Sequence, residues 1–330
     1  MEHLIEYGIF FAKFITVILV LAIIAGGVFI LVFRSRSGME GHLNITNLNS
    51  KFETMGLMLN SHILPKKEFK KAVKEHKALL KKKDKATDPD QKRKRIFVIE
   101  FKGDIRATEV TSLREEITAI LTVTTADDEV LVKLESAGGT VHGYGLAASQ
   151  LKRIRDKGIH LTIAVDKVAA SGGYMMACVA HKIIAAPFAI IGSVGVLAQI
   201  PNFNRLLKKH NIDFEEITAG KYKRTLTLFG KNTDEDREKM QEELADIHQL
   251  FKDFIHENRS QVDVEKIATG EHWHGKRALE LNLVDELRTS DDYLSSSVNT
   301  ADIFEIAYER KKPISEKIIS FGTKLMEHIS

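Results

Sequence analysis

The stretch Asp166-Lys-Val-Ala-Ala-Ser-Gly-Gly-Tyr-Met-Met-Ala-Cys178 decides how this chain is organised. An apolar run, Leu161-Thr-Ile-Ala-Val165, precedes it and predicts a buried strand, and a segment of helical character follows Ser171. Two alanines stand before that serine and two glycines after it. The pattern predicts one hydroxyl held at a tight strand-to-helix turn.

Two roles fit a serine at such a turn. Small neighbours let a substrate carbonyl approach the hydroxyl, and free N–H groups at the start of a helix can stabilise the oxyanion that then forms. Capping the helix is the commoner role for a serine in this position. The stretch alone leaves both roles open.

The composition is that of an ordinary globular protein. The 330 residues are 44% apolar and 28% charged, with a net charge of +3. Positive charge is concentrated between Lys66 and Arg95, where fourteen Lys or Arg accompany five Asp or Glu, so we expect no nucleic-acid partner. The single cysteine, Cys178, excludes an intramolecular disulfide and a cysteine-rich zinc site, and its apolar setting predicts a small buried side chain.

An uncharged run near the N-terminus predicts a membrane anchor, residues 1–36. Residues 14–33 contain no charge, and at about 1.5 Å of rise per residue a helix of that length spans a hydrocarbon core of about 30 Å. A cleaved signal peptide is disfavoured, because Gly26-Gly27 falls inside the run and bulky residues follow it. The basic residues after the run favour a cytoplasmic C-terminal side by a small margin, so the side of the membrane stays open.

Residues 37–94 are predicted to form a basic helical connector. A short amphipathic helix is expected within residues 43–59, and Pro65 ends that segment. The following segment, Lys66–Lys85, predicts a basic helix with a thin apolar stripe. Such a helix suits anionic lipid headgroups, and a solvated spacer fits it equally well. A domain boundary is expected near residues 92–95.

From residue 95 onward, strand and helix patterns alternate, which is typical of a parallel α/β core. The expected strands are 96–101, 129–134 and 161–165, and the expected helices are 109–121 and 142–157. The charge-free run 183–200 is predicted to be buried strand and loop, since Pro187, Gly192 and Gly195 interrupt it.

Two further elements are predicted downstream. Thr233 and Asp236 resemble a capping box that begins a long amphipathic helix over residues 234–258. The C-terminal region, residues 291–330, is expected to contain a strand at 303–308 and an amphipathic tail at 314–329.

A nucleophilic serine needs a base. No Ser/His/Asp pattern stands out along the chain, although such triads are recognised by geometry. A lysine can serve instead when burial frees its lone pair. Lys223, in Thr218-Ala-Gly-Lys-Tyr-Lys-Arg224, is the candidate, and Lys221 and Arg224 compete with it.

Five segments in one order resemble the S49 peptidases, the signal peptide peptidase A family. They are Ser136-Ala-Gly-Gly139, Val168-Ala-Ala-Ser-Gly-Gly-Tyr174, Ile191-Gly-Ser-Val-Gly-Val196, Gly220-Lys-Tyr-Lys-Arg224 and Ala278-Leu-Glu-Leu-Asn-Leu-Val-Asp285. The resemblance spans residues 95–290, which would be the catalytic domain. It implies an α/β, ClpP/crotonase-like fold behind the N-terminal transmembrane helix, and a Ser-Lys dyad.

The resemblance also implies a role for particular residues. Ser171 matches the family nucleophile, and Lys223 matches its general base. Ser193 matches a hydroxyl that helps to orient the lysine. Gly139, together with the N–H of Gly172 or of Ser171 itself, would form the oxyanion hole.

One departure from the family is visible. Members commonly show Ser-Pro-Gly-Gly where this chain has Ser136-Ala-Gly-Gly139, which puts the rigidity of that loop in doubt but keeps its glycine N–H groups. The chain also resembles the short form of the family, in which each subunit corresponds to half of a duplicated long form. That likeness implies a homo-oligomeric ring or dome.

The predicted function is that of a membrane-anchored serine endopeptidase of the bacterial inner membrane, which degrades signal peptides or fragments of membrane proteins. Its expected partners are peptide or protein substrates, membrane lipid and further copies of itself. No cofactor is expected. No metal is expected either, because His272-Trp-His274 lacks a third ligand. Two alternatives stay open: a crotonase-type acyl-CoA enzyme, to which Ser171 and Lys223 would be superfluous, and a catalytically silent peptide-binding scaffold.

Overall fold

The computed structural model describes residues 15–16, 18–19, 41–85 and 93–310. Nearly all of the predicted membrane span, 14–33, and the whole of the predicted amphipathic tail, 314–329, lie outside these residues. Within the described ranges, no helix is both long enough and apolar enough to cross a bilayer. The chain divides into two compact units, Met1–Asn44 with Tyr308–Ser330, and Ile45–Ala307. The candidate site described below lies wholly in the second unit.

A mixed α/β architecture surrounds a central sheet, as the alternation of patterns predicts. The strands are β1 (His42–Asn47), β2 (Lys94–Gly103), β3 (Glu129–Ser136), β4 (His160–Val165), β5 (Val168–Ala170), β6 (Lys182–Ala185), β7 (Ile190–Gly192), β8 (His272–His274), β9 (Glu286–Leu287) and β10 (Ala301–Glu309). The order β10-β2-β3-β4-β6-β9 runs across the sheet, and every neighbouring pair in it is parallel. At the carboxyl end of β3, strand β5 pairs with it in parallel. Strand β7 pairs in parallel with β5, and β8 pairs antiparallel with β7.

Helices connect these strands. They are α1 (Leu48–Ile63), α2 (Lys66–Lys85), α3 (Val110–Val123), α4 (Val141–Asp156), α5 (Gly172–Ala177), α6 (Asn204–Lys209), α7 (Asp234–Asn258), α8 (Val264–Ile267), α9 (Gly275–Glu280) and α10 (Ser290–Ser297). The predicted capping box is confirmed at the start of α7, where Thr233 and Asp236 bond each other reciprocally.

Successive side chains of β2 enter different cores, because neighbouring residues of a strand point to opposite faces of the sheet. Ile99 and Phe101 join the larger core, which α3, α4, α5 and α7 complete. Ile96 and Val98 join a smaller core on the other face, which includes residues from α1 and α10. The carboxyl ends of β2, β3, β5 and β7 meet at one edge, and that edge positions the candidate site.

The alternating strands and helices predicted between residues 95 and 165 are confirmed, and so is the strand predicted at 303–308. One prediction in the connector is wrong: residues 43–47 form part of strand β1 rather than of a helix. The reason is local, since apolar and polar residues alternate there with the period of a strand. Asn47 then accepts a hydrogen bond from the Ser50 N–H and fixes the helix start at Leu48.

The charge-free run at 183–200 contains buried strands, as predicted. β6 and β7 are buried from Ile183 to Ala185 and at Ile191 and Gly192. The side chains beyond Val194 are progressively exposed, and Leu197 is largely in solvent. The run therefore passes from the sheet into an exposed segment.

Candidate active site

Ser171 lies between β5 and α5 with a strained backbone. Its φ is 51° and its ψ is −119°, a region that residues with a side chain seldom occupy. Its N–H donates to the carbonyl oxygen of Gly192 at 2.7 Å, and its side chain makes no capping hydrogen bond to α5. The capping role is therefore absent from this structure, and the residue is only partly exposed at the edge of the sheet.

The glycines after Ser171 allow α5 to begin against its neighbours. A Cβ on Gly172 would collide with the ring of Tyr144, and one on Gly173 would lie 2.5 Å from the carbonyl oxygen of Ser136. Real Cβ atoms do not approach other atoms so closely, so both positions require glycine. The serine turn consequently packs directly on α4 and on the end of β3.

The loop after β3 is the candidate oxyanion loop, residues 136–139. Gly138 has a φ of +92°, and a Cβ there would lie 2.8 Å from the backbone nitrogen of Gly172, so this loop touches the serine turn. Gly139 follows with its backbone at the exposed surface. The N–H of Gly172 belongs to the first residue of α5, which has no acceptor within the helix.

The sequence leaves two candidates for the second oxyanion donor beside Gly139, the N–H groups of Ser171 and Gly172, and the hydrogen bonds distinguish between them. Ser171 already uses its N–H on Gly192. Gly172 therefore fits the role of second oxyanion donor better than Ser171 does.

Two side chains that sequence reasoning did not select form a buried relay beneath these loops. The Gly138 N–H donates to Ser136 Oγ at 3.0 Å, Ser136 Oγ lies 2.5 Å from Tyr144 Oη, and Tyr144 Oη donates to the Asp104 carbonyl oxygen at 2.8 Å. Ser136 lies in the motif Ser136-Ala-Gly-Gly139. The sequence around Tyr144 shows only the spacing of a buried residue on the inner face of a helix.

Ser193 directly follows the carbonyl group that holds the serine turn. It also has a positive φ, 52°, and its N–H donates to the Glu271 carbonyl oxygen at 2.7 Å. Gly192 packs against the ring of Trp273, where a Cβ would lie 2.8 Å from the ring. The segment with Ser193 is thus fixed by β8, and its side chain is partly exposed.

Lys223 is exposed in the single chain, and the structure records no hydrogen bond between its amine and Ser171. It lies in a turn, where its N–H donates to the Gly220 carbonyl oxygen at 3.1 Å. The competing cations are occupied: Lys221 pairs with Glu235 at 2.9 Å, and Arg224 lies 3.5 Å from Glu216. Among the residues that the structure describes, Lys223 has no ion-pair partner.

The segment 197–232, which we call the arm, carries Lys223 and exposes many apolar side chains. Ile217 is 94% exposed, and several other large apolar side chains of the arm are at least one third exposed. They include Leu197, Phe203, Leu206, Ile212, Phe214, Tyr222, Leu228 and Phe229. Exposed apolar side chains that cluster on a protein surface can form an interaction site, so the arm is a candidate contact surface.

The remaining groups near α5 are structural. Burial raises the pKa of the Cys178 thiol to about 12, so the thiol stays neutral and packs as a small apolar group, as the sequence predicts. Arg259, which is almost fully buried, pairs with Asp285 at 2.8 Å and also donates to the Asn282 carbonyl oxygen. No histidine in the described part of the chain bonds to Ser171, which leaves the Ser/His alternative without support.

Two models of one protein family match this chain. The model for Peptidase family S49 N-terminal matches residues 2–151, and the model for Peptidase family S49 matches residues 153–303. The matches cover most of the chain and include every candidate site residue. The chain belongs to peptidase family S49.

Relatives of similar length share one name within that family. The Probable protease SohB of Haemophilus influenzae is 47% identical over 331 residues, which is 97% of this chain and 92% of the relative. The Probable protease SohB of Buchnera aphidicola subsp. Schlechtendalia chinensis is 47% identical over 306 residues, 90% of this chain and 100% of the relative. A solved mutant of the 1510-N membrane-bound stomatin-specific protease with a substrate peptide is 14% identical with a TM-score of 0.44, over 71% of this chain and 100% of that one.

Proposed function

We propose that this S49 protease is a serine endopeptidase with a ClpP/crotonase-like fold, and that Ser171 and Lys223 form its catalytic dyad. The observation that carries the proposal is the turn at Ser171: a strained positive-φ residue whose hydroxyl does not cap its helix and which two glycine-lined loops flank. Strain of this kind costs roughly 1–3 kcal/mol and is concentrated at functional sites.

The dyad accounts for each proton in the reaction. The uncharged amine of Lys223 accepts the Ser171 proton while the oxygen attacks the peptide carbonyl, and the N–H groups of Gly139 and Gly172 stabilise the oxyanion. The carbon–nitrogen bond then breaks, and the leaving amine takes the proton from Lys223. In the second half, Lys223 accepts a proton from water, the resulting hydroxide attacks the acyl-serine, and Ser171 regains its proton as the ester bond breaks. Ser193 would orient the lysine.

To act as a base, the Lys223 amine must be shielded from water, because burial disfavours the charged ammonium form. The exposed apolar side chains of the arm supply a reason for such burial, since covering them against another copy of the chain is favourable. We therefore include a homo-oligomer in the proposal. The exposure of Lys223 in the single chain also supports a second candidate, a peptide-binding scaffold without activity.

Membrane attachment is the remaining part of the proposal. The uncharged run 14–33 supports a single-pass anchor in the bacterial inner membrane, and α2, with ten lysines and three acidic residues, suits the anionic lipid surface beside it. Substrates derived from the membrane, such as released signal peptides, would then be close at hand. Alkaline extraction of membranes tests the anchor: a spanning chain stays in the pellet, and a peripheral chain is released.

Covalent labelling distinguishes the peptidase from the scaffold. A fluorophosphonate probe should label the full-length protein, and Ser171→Ala should abolish both labelling and casein hydrolysis. Lys223→Ala should do the same with an unchanged melting temperature. Lys221→Ala is the matched control, since it removes a neighbouring lysine that pairs with Glu235, and it should keep the activity. Equal turnover in Lys223→Ala and the parent would remove the dyad.

A further inference from the structure

We propose that Ser136 and Tyr144 are positioning residues of the reaction, and that their two hydroxyl groups hold the oxyanion loop against the nucleophile turn. The inference rests on the proposed serine peptidase function and adds to it a buried relay that touches no substrate. The hydroxyl groups of Ser136 and Tyr144 are not members of the proposed dyad.

The direction of each hydrogen bond in the relay follows from its last acceptor. The Asp104 carbonyl oxygen can only accept, so the single proton of Tyr144 Oη goes to it, at 2.8 Å. Ser136 must therefore donate to Tyr144, at 2.5 Å, and its oxygen accepts the Gly138 N–H at 3.0 Å. Every hydroxyl in the chain of bonds donates once and accepts at least once, so none of its polar groups is left unsatisfied.

The relay lies where three loop segments meet. A Cβ on Gly103 would collide with both the Tyr144 and the Ser136 hydroxyls, and the ring of Tyr144 occupies the space that a side chain on Gly172 would need. Tyr144 is 0% exposed and Ser136 is 2% exposed. Substrate cannot reach either hydroxyl, and the ends of β2 and β3 and the start of α5 are all packed on them.

The relay determines which amide of the oxyanion loop is free. The bond to Ser136 uses the Gly138 N–H, and the positive φ of Gly138 then turns the chain, so the next amide, that of Gly139, is the donor left for the oxyanion. Two consecutive glycines without a proline give this loop little covalent restraint. The hydrogen bond to Ser136 supplies the restraint instead, and a displaced donor costs rate rather than binding.

The test compares variants of the full-length protein by saturation labelling with a fluorophosphonate probe, whose phosphonyl oxygen occupies the oxyanion position. Tyr144→Phe removes one hydroxyl and keeps the ring on Gly172, and Ser136→Ala removes the other. Each variant should lower the maximal labelling rate by about 10- to 100-fold, with the half-saturating concentration within about twofold of the parent. The double variant should be no slower than the worse single one, because both changes break the same relay.

Tyr174→Phe is the matched control. Tyr174 is also fully buried, lies on α5 and donates to the Leu283 carbonyl oxygen at 3.1 Å, so its hydroxyl takes no part in the relay. It should lose stability like the test variants and keep the parental labelling rate. Melting temperatures for all variants separate loss of fold from loss of positioning.

The outcomes separate this inference from the function on which it rests. If Ser171→Ala blocks labelling while Tyr144→Phe and Ser136→Ala label at the rate of Tyr174→Phe, the relay has only a structural role and the inference is wrong. If Ser171→Ala is still labelled at the parental rate, both the proposed nucleophile and the relay fall together.

Discussion

The backbone N–H of Ser171 donates a hydrogen bond to the carbonyl oxygen of Gly192 at 2.7 Å. The two residues are at the carboxyl ends of paired strands, where Ala170 of β5 lies opposite Gly192 of β7. Ser193, which matches the hydroxyl that orients the lysine, comes next along the chain. The backbone at Gly192 therefore positions both the turn of the proposed nucleophile and the segment of the proposed lysine-orienting residue.

The first prediction concerns that backbone. Gly192→Ala places a Cβ at a φ of 104° and 2.8 Å from the Trp273 ring, so it should destabilise the fold by roughly 1–3 kcal/mol and reduce probe labelling of the molecules that remain folded. Thermal unfolding and labelling are measured on the same sample. Gly145→Ala, inside α4 with open space around it, is the control and should raise the free energy of unfolding by about 0.5–1 kcal/mol. Normal labelling by folded Gly192→Ala would show that the turn does not depend on this contact.

The second prediction concerns the base. Lys223→Arg keeps the positive charge, but a guanidinium does not lose its proton at these pH values, so peptide hydrolysis should fall to background. Lys221→Arg should remain active, because its salt bridge with Glu235 needs only a cation. Hydrolysis by folded Lys223→Arg at the parental rate would contradict the role of Lys223.

Local patterns were sufficient to predict most of this fold. The strands at 96–101, 129–134 and 161–165 are apolar runs bounded by turn residues, and the helix that begins after Thr233 carries its own capping box. The turn at Ser171 could be predicted too, because the small residues around it fit only a close-packed corner.

Two features depend on contacts that no local pattern encodes. The relay joins Ser136 at the end of β3 to Tyr144 on α4, and neither residue has a sequence signal that names the other. The position of Lys223 relative to Ser171 is the second case, since it depends on what covers the arm.

The third prediction concerns acid stability. Burial would raise the pKa of the Glu129 carboxyl, but hydrogen bonds from three side chains lower it below its usual value. The donors are Lys94 at 2.6 Å, Thr162 at 2.6 Å and Tyr293 at 2.7 Å. Because the folded-state pKa lies below the unfolded value of about 4.3, the stabilisation is complete above that pH and is lost as the pH falls through the folded-state pKa.

Glu129→Gln should therefore lower the free energy of unfolding by about 1–3 kcal/mol at neutral pH and by much less in acid, where the parent has lost the same charge. Denaturant unfolding at a series of pH values measures both. Glu265→Gln is the control, because this largely exposed carboxylate pairs with Lys252 at the surface and should change little at any pH. If the free energies of unfolding of Glu129→Gln and the parent differ by the same amount at every pH, the charge of the Glu129 carboxylate does not stabilise the fold.

The fourth prediction concerns the arm. Ile217 is 94% exposed in the single chain, so Ile217→Asp should change the stability of one subunit by less than about 0.5 kcal/mol. If another copy covers the arm, the buried aspartate would be strongly unfavourable in the assembly, and the protein should dissociate and lose peptidase activity together. Leu250→Asp introduces the same charge on α7, where the side chain is 61% exposed and lies outside the arm, and should leave both properties unchanged. Light scattering and hydrolysis measured on the same preparations decide the matter, because an Ile217→Asp variant that stays assembled and active would place the subunit contact elsewhere.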